Sequence, residues 1–163
     1  MDACLHNISL IIRWPGVTPK NVSSDTLMYN VDFAPTICDM LNIKTPEQWD
    51  GKLYTANLYG EPGEDRDYLV WDSGLYTVQR AVRTKTHLYI RTYDSWRYNN
   101  WAEEELYDMV NDRYQTTNLA QSHPDIVQTC RNIMVEWVEE QKAKPNWKGD
   151  PIEAILRERG LQK

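Results

Sequence analysis

Arg80-Ala-Val-Arg-Thr-Lys-Thr-His-Leu-Tyr-Ile-Arg-Thr-Tyr93 reads as two strands on either side of a break at Lys85-Thr86. In the second half, Leu88 and Ile90 share one parity, while His87, Tyr89, Arg91 and Tyr93 share the other. Successive side chains of a strand point to opposite faces, so this parity predicts one core face and one polar-aromatic face. Working outward, Asp67–Ser73 and Thr77–Thr84 lie before it, and Glu105–Met109 follows it. With His87–Tyr93 these make four strand-like runs joined by short breaks. Runs this close in sequence predict an antiparallel meander, because a parallel neighbour needs a crossover of a dozen residues or more.

Further out on the C-terminal side, the stretch from Ser122 to about Lys142 has the period of a helix. Ile126, Val127, Cys130, Ile133, Met134, Trp137 and Val138 fall on one stripe, which suits a helix covering the sheet. Ser122 with Asp125 resembles a capping box. A last short helix is expected from Pro151 to Arg159, with Asp150 as N-cap, Glu153 as reciprocal cap and Gly160 as stop. On the N-terminal side, Ser9-Leu-Ile-Ile-Arg-Trp14 is an apolar run closed by Pro15-Gly16. A run without alternation fits a strand buried on both faces, as in a parallel sheet. Val17 to Ser24 reads as loop, and Asn30 to Leu41 as a helix with an apolar stripe at Phe33, Ile37 and Met40-Leu41. Lys44 to Asp67 is rich in turn residues and offers no secure element.

The expected fold class is therefore α+β: the end of an α/β domain (strand plus helix), then a four-stranded antiparallel sheet packed by a C-terminal helix. The expected boundary falls between residues 66 and 67, giving an α/β remnant over 1–66 and a sheet subdomain over 67–163.

Composition narrows the function. A chain of 163 residues buries roughly 68–70% of its unfolded surface, enough for a core without disulfides. Its net charge of −6 argues against nucleic acid as a partner, since that affinity rests on neutralising phosphates. No stretch approaches the ~20 apolar residues of a membrane span, and Met1 to Asn7 has neither the basic flank nor the apolar core of a signal peptide. Compartment is left open. Cys4, Cys38 and Cys130 form no CxxC or metal-ligand pair and read as reduced, buried side chains. The histidines His6, His87 and His123 are solitary, and no HExxH, phosphate loop or GxSxG elbow is present. Glu103-Glu104-Glu105 reads as solvated surface.

Between Arg80 and Tyr98, five cations (Arg80, Arg83, Lys85, Arg91, Arg97) interleave with Tyr89, Tyr93, Trp96 and Tyr98. Such a surface can stack sugar rings and pair with sulfate or carboxylate groups, where the Arg fork is a natural partner. It can stack bases instead, or simply be cross-strand pairing on the open face of a sheet. All three readings stand at this point.

Six stretches then resemble the sulfatase family of the alkaline-phosphatase superfamily, in family order and over nearly the whole chain. Ser9 to Gly16 resembles the strand and turn after the catalytic lysine, and Val31-Asp-Phe-Ala-Pro-Thr-Ile-Cys-Asp-Met-Leu41 the helix that follows. Asp50-Gly-Lys-Leu53 with Leu58-Tyr-Gly60 is similar to the DGxSL and LxG loop. Arg80 to Thr84 with His87 to Arg91 resembles the C-terminal hairpin. Glu105-Leu-Tyr-Asp108, Asn111-Asp112 and Asn118-Leu-Ala120 resemble the ELYDLxxDPxExxNLA signature, and Gly149-Asp-Pro151 a stretch of bacterial members.

The resemblance implies a sulfuric ester hydrolase acting on a sulfated small molecule or glycan, with a formylglycine nucleophile and calcium or magnesium. It equally implies that this chain carries none of that machinery. No cysteine or serine stands in a Cys/Ser-x-Pro-x-Arg motif, and the metal ligands and catalytic lysine of the family precede the position of Ser9. No catalytic or metal role is assigned to any residue, His6 included. The chain is expected to contribute scaffold and one wall of the substrate cleft and to be inactive alone. Tyr76 and Gln79, in the turn entering the second strand, are the candidates for touching substrate. The alternatives are a phosphonate or phosphodiester hydrolase fragment of the same superfamily, or a free-standing module binding anionic carbohydrate. The apolar run at Leu10, Ile11 and Ile12 adds an expectation of self-association.

Overall fold

The computed structural model describes residues 8–96 and 100–161. They form two compact units, Ile8–Leu69 and a unit from Val70 onward.

In the first unit a 3₁₀ turn, Asn30–Asp32, runs into helix α1 (Phe33–Met40), and a single helical turn forms α2 (Thr55–Leu58). The organising group is Asp32, whose side chain is fully buried and accepts from Tyr29 N–H, Lys52 N–H and the Arg66 guanidinium, each at 2.7 Å. Its backbone carbonyl accepts from the Thr36 hydroxyl, which in turn accepts from Tyr54 N–H. A carboxylate removed from water is tolerated only when paired and hydrogen-bonded, and here every contact ties a loop to the start of α1. The glycine of the Asp50-Gly51 pair is steric in origin. A Cβ on Gly51 would lie 2.3 Å from the Val31 carbonyl oxygen and 2.8 Å from Pro35 Cγ.

The front of this unit corrects the expectation of a strand over Ser9–Trp14. That segment forms no strand, and Ile11 is 89% exposed. An apolar run states that it prefers burial, but a strand also needs a neighbour to take its N–H and C=O groups, and among the described residues none lies beside it. The turn at Pro15-Gly16 does form, closed by Val17 and Thr18 N–H on the Trp14 carbonyl, with Gly16 at φ 81°.

In the second unit four strands, β1 (Tyr68–Ser73), β2 (Val78–Thr84), β3 (His87–Asp94) and β4 (Glu104–Asp108), form one sheet in the order β1-β2-β3-β4. The β2–β3 and β3–β4 pairs are antiparallel, with Ala81 opposite Ile90 and Ile90 opposite Glu105. This is the meander that the spacing of the runs implies.

Both faces of the sheet are buried, which the parity argument did not foresee. On one face Ala81, Leu88 and Ile90 pack with Trp71, Tyr107 and Met109. The polar-aromatic face is not open. Arg80 is 4% exposed and Tyr89 is fully buried, because helix α3 (Pro124–Lys142) lies over them. Val127, Cys130 and Met134 are its buried positions, and Ile126, Ile133, Trp137 and Val138 flank them, as the stripe predicts.

Helix α3 begins at Pro124, with His123 as N-cap, so the expected Ser122–Asp125 capping box is absent. Proline at the first helical position has no N–H to satisfy, and the Ser122 hydroxyl donates to the Leu119 carbonyl instead. Helix α4 (Pro151–Glu158) has the expected N-cap, with the Asp150 carboxylate accepting from Ile152 N–H at 2.9 Å.

Candidate functional site

The arginines of the β2–β3 stretch were candidates for binding an anion, and burial has already engaged them. Arg80 donates through Nε and Nη2 to Asp72 at 2.7 and 3.0 Å, and through Nη2 and Nη1 to Asp150 at 2.7 and 3.1 Å. Burial alone would lower its hold on a proton, but the two carboxylates outweigh that and raise it above the ordinary guanidinium value. Arg83 donates to the carbonyls of Thr84 and His87, and Arg91 pairs with Glu103 and Glu104. Arg97 and Tyr98 lie outside the described residues, as do Cys4 and His6. The hollow of about 200 Å³ beside α3 is lined by Arg80, Tyr93, Met134, Val138 and Asp150 and offers no unmatched charge from Arg80.

The glutamate run is corrected in the same way. Only Glu103 is well exposed. Glu105 is buried and accepts from the Tyr107 hydroxyl. Glu104 takes both arms of Arg131, at 2.7 and 2.5 Å, and the Tyr89 hydroxyl at 2.5 Å. The Arg131 fork first, and the Tyr89 hydroxyl after it, pull the Glu104 carboxyl down to about 2 against the opposing effect of burial. Glu103 precedes β4 and meets solvent, whereas Glu104 and Glu105 lie within the strand and are held by Arg131, Tyr89 and Tyr107.

The signature loop after β4 likewise spends its polar side chains on nearby backbone. Asp108 accepts from Val110 and Asn111 N–H, Asp112 from Thr116 and Thr117 N–H, and Asn118 Oδ1 from Leu106 and Ala120 N–H. These side chains replace missing backbone partners in a loop.

One polar-aromatic arrangement does face solvent. The turn Gly74–Thr77 between β1 and β2 presents Tyr76, 58% exposed, and beyond β3 stands Trp96, 46% exposed. Their rings stack with centroids 6.3 Å apart and planes 25° apart. Trp96 has φ of 50°, a left-handed conformation that costs a non-glycine residue about 1–2 kcal/mol.

Two groups hold it there. One oxygen of Asp94 accepts from Trp96 N–H at 2.8 Å, and the other accepts from Arg159 at 2.6 Å. Arg159, at the end of α4, also donates to the Gly74 and Tyr76 carbonyls and sits 5.8 Å from the Trp96 ring centroid. The shelf is thus braced from the strand side and from the C-terminal helix.

Of the two residues expected at a substrate, Tyr76 belongs to this shelf. Gln79 lies in β2 rather than in the turn and is 1% exposed. Its amide is occupied at both ends, accepting from the Thr77 hydroxyl and donating to the Thr92 hydroxyl, each at 3.0 Å. Sequence reasoning missed Asp94 and Arg159. The Asp-x-Trp spacing is a local signal for the first, but nothing local joins Arg159 to a partner 65 positions away.

The formylglycine and metal implied by the resemblance do not fit the described residues. Cys38 is followed by Asp-Met-Leu, and the Cys130 thiol is pushed up to about 11 by burial, the wrong direction for a nucleophile. Among the described residues no group of three His, Cys, Asp or Glu side chains is placed to hold a metal ion. His87 and His123 stand apart, at the start of β3 and at the N-cap of α3.

The four-stranded meander with its helices agrees with what known proteins show. Residues 4–143 match the family described as N-sulphoglucosamine sulphohydrolase, C-terminal. The chain belongs to that family and is a C-terminal portion of a sulfatase-family protein. It is 26% identical over 190 aligned positions to an ulvan-active sulfatase of Formosa agariphila, covering 95% of this chain and 38% of that protein. It is 31% identical over 120 positions to an N-acetylglucosamine-6-O-sulfatase of Bacteroides thetaiotaomicron, covering 70% of this chain and 21% of that protein. A solved structure in complex with its substrate, D-glucosamine-2-N,6-O-disulfate, shares the fold with a TM-score of 0.68 at 22% identity, over 85% of this chain and 30% of that one. The chain thus spans well under half the length of these relatives.

Proposed function

We propose that the chain serves a sulfatase acting on a sulfated glycan or a smaller sulfated saccharide, supplying scaffold and one wall of the substrate cleft. The observation that carries this is the Tyr76–Trp96 shelf: an exposed aromatic pair held in a strained conformation by Asp94 and Arg159. Strain of this kind is retained where the surroundings enforce it, which is common at ligand clamps. The nucleophile and metal belong to parts of the sulfatase that these residues do not supply, so the chain alone does not cleave sulfate esters. Loss of cooperative groups does not leave a proportional share of the rate.

The test is sulfate release from aryl sulfates and from 6-O-sulfated N-acetylglucosamine, with calcium or magnesium added. The expected result is none above a heat-killed blank, and no rise in Tm with calcium, since a ligand stabilises only the state that binds it. Turnover that is abolished by chelator would overturn the proposal.

A second element is self-association through the front of the first unit, favoured by the exposure of Ile8, Leu10 and Ile11 in a segment that forms no strand among the described residues. The rival reading of a module for anionic carbohydrate loses its basis in the β2–β3 arginines, whose donors are turned to Asp72, Asp150, Glu103, Glu104 and backbone carbonyls.

A further inference from the structure

We infer that the Tyr76–Trp96 shelf grips the uncharged C–H face of a pyranose ring and does not read the sulfate. This rests on the reading above that the shelf borders a carbohydrate cleft, and specifies what the shelf contributes. Three observations lead to it. First, the two rings stack with their planes 25° apart and both stay about half exposed, so the pair leaves apolar aromatic surface open to solvent beside the turn. A ring face is the negative end of its quadrupole, and it meets the weakly positive axial C–H groups of a sugar better than it meets an anion. Leu75, exposed beside Tyr76, prolongs the apolar surface.

Second, the described cation at the shelf is already spent. Arg159 donates to the Asp94 carboxylate and to the carbonyls of Gly74, Leu75 and Tyr76. Its charge is matched by Asp94 at 2.6 Å, and its planar group lies against Trp96. A sulfate arriving there would have to break that pair. Arg159 is a positioning residue: it fixes the Trp96 ring and the backbone of the Tyr76 turn at once.

Third, the strained backbone at Trp96 is held by a carboxylate bond to its own N–H, and the indole is held by its contacts with Tyr76 and Arg159, so the ring is placed before any ligand arrives. A rigid aromatic with few rotatable bonds binds with little loss of conformational freedom. A salt-insensitive contact with the carbon skeleton follows, leaving the sulfate to be recognised elsewhere in the cleft.

The experiment is a titration of the full chain, followed by NMR of the indole and tyrosine ring protons. The probes are a neutral N-acetylglucosamine oligomer and its 6-O-sulfated counterpart, each from about 0.05 to about 0.5 M salt, a range over which exposed charge attraction is screened. The expected result is that both ligands perturb Trp96 and Tyr76, with Kd values within about threefold of each other and unchanged by salt. Trp96→Ala and Tyr76→Ala should each weaken binding by about tenfold, which is about 1.4 kcal/mol. The buried-core methyl resonances of each variant confirm that the sheet is intact. Arg159→Lys keeps the charge but loses the fork, and should weaken both ligands equally while broadening the Trp96 signals.

Binding of the sulfated ligand alone, with affinity falling steeply with salt, would overturn the inference, because charge would then be the thing read. Perturbation of other residues with Trp96 and Tyr76 silent would also overturn it while leaving the cleft-wall proposal standing. Absence of any saccharide binding would remove both.

Discussion

The Arg80 guanidinium carbon lies 5.4 Å from the centroid of the Trp137 ring, so the centre of the covering helix rests on a buried cation rather than on a hydrocarbon. Trp137 is half-buried, and truncation removes its packing together with the cation–π contact. Trp137→Ala should cost about 2–3 kcal/mol, below the range for a fully buried large aromatic. Urea denaturation measures it; a loss under about 0.5 kcal/mol would mean that the ring does not pack on the sheet.

Arg80 itself should matter more. Arg80→Met preserves much of the volume but leaves the Asp72 and Asp150 carboxylates facing each other in a largely buried site. Breaking a buried pair by removing one partner costs about 3–5 kcal/mol. The same urea titration, run beside Trp137→Ala, should rank Arg80→Met as the more damaging change.

Glu104 sets a pH dependence. Its carboxyl falls from the ordinary glutamate range to about 2 in the folded chain, chiefly through Arg131. A depressed folded value means that the stabilisation is complete above the unfolded pKa and is lost as pH falls through the folded one. Tm should therefore decline between about pH 5 and pH 2. In Glu104→Gln, which cannot titrate, the slope over that window should be shallower. Asp108 and Asp112, also held below the ordinary aspartate value by hydrogen bonds from Asn111 and Thr116, leave a residual slope of the same sign.

Legibility in the sequence followed the range of the interaction. The strands of the meander are within one residue of the runs seen at Asp67–Ser73, Thr77–Thr84, His87–Tyr93 and Glu105–Met109, because alternation and short breaks are local. The α3 stripe and the Asp150-Pro151 start of α4 are local too. The polar face was misjudged because Arg80 is neutralised by Asp150, 70 positions away, and no local pattern marks an arginine that will be buried. The shelf was half legible: Tyr76 stood out as a turn aromatic, whereas its brace, Arg159, is 83 positions away.

Asn118 should prove a structural residue in spite of its place in a family signature. Its Oδ1 accepts from Leu106 and Ala120 N–H and its Nδ2 donates to the Glu104 carbonyl, so it substitutes for a neighbouring strand along β4. Asn118→Ala leaves those groups unpaired and should cost about 1–3 kcal/mol. Asn118→Asp keeps the acceptor and loses only the donor, so its loss should be the smaller. Equal stability of all three proteins would show that water replaces the side chain without penalty.

The front of the first unit yields the last expectation. Ile8, Leu10 and Ile11 are exposed along a segment that forms no strand among the described residues, while Asp32 anchors the unit behind it. Apolar extended backbone with free N–H and C=O groups is a template for pairing with another chain. In dilute solution the amides of Ser9 to Trp14 should exchange freely, apart from Trp14 N–H, which is held by the Thr18 hydroxyl. Raising the protein concentration should bring protection to this segment together with an increase in mass by light scattering. Ile11→Lys places a charge in the run and should abolish the concentration dependence of both signals without changing exchange in β2 or β3. A strict monomer whose Ser9–Trp14 amides are protected at every concentration would show that the segment finds its partner within its own chain, and self-association through it would have to be abandoned.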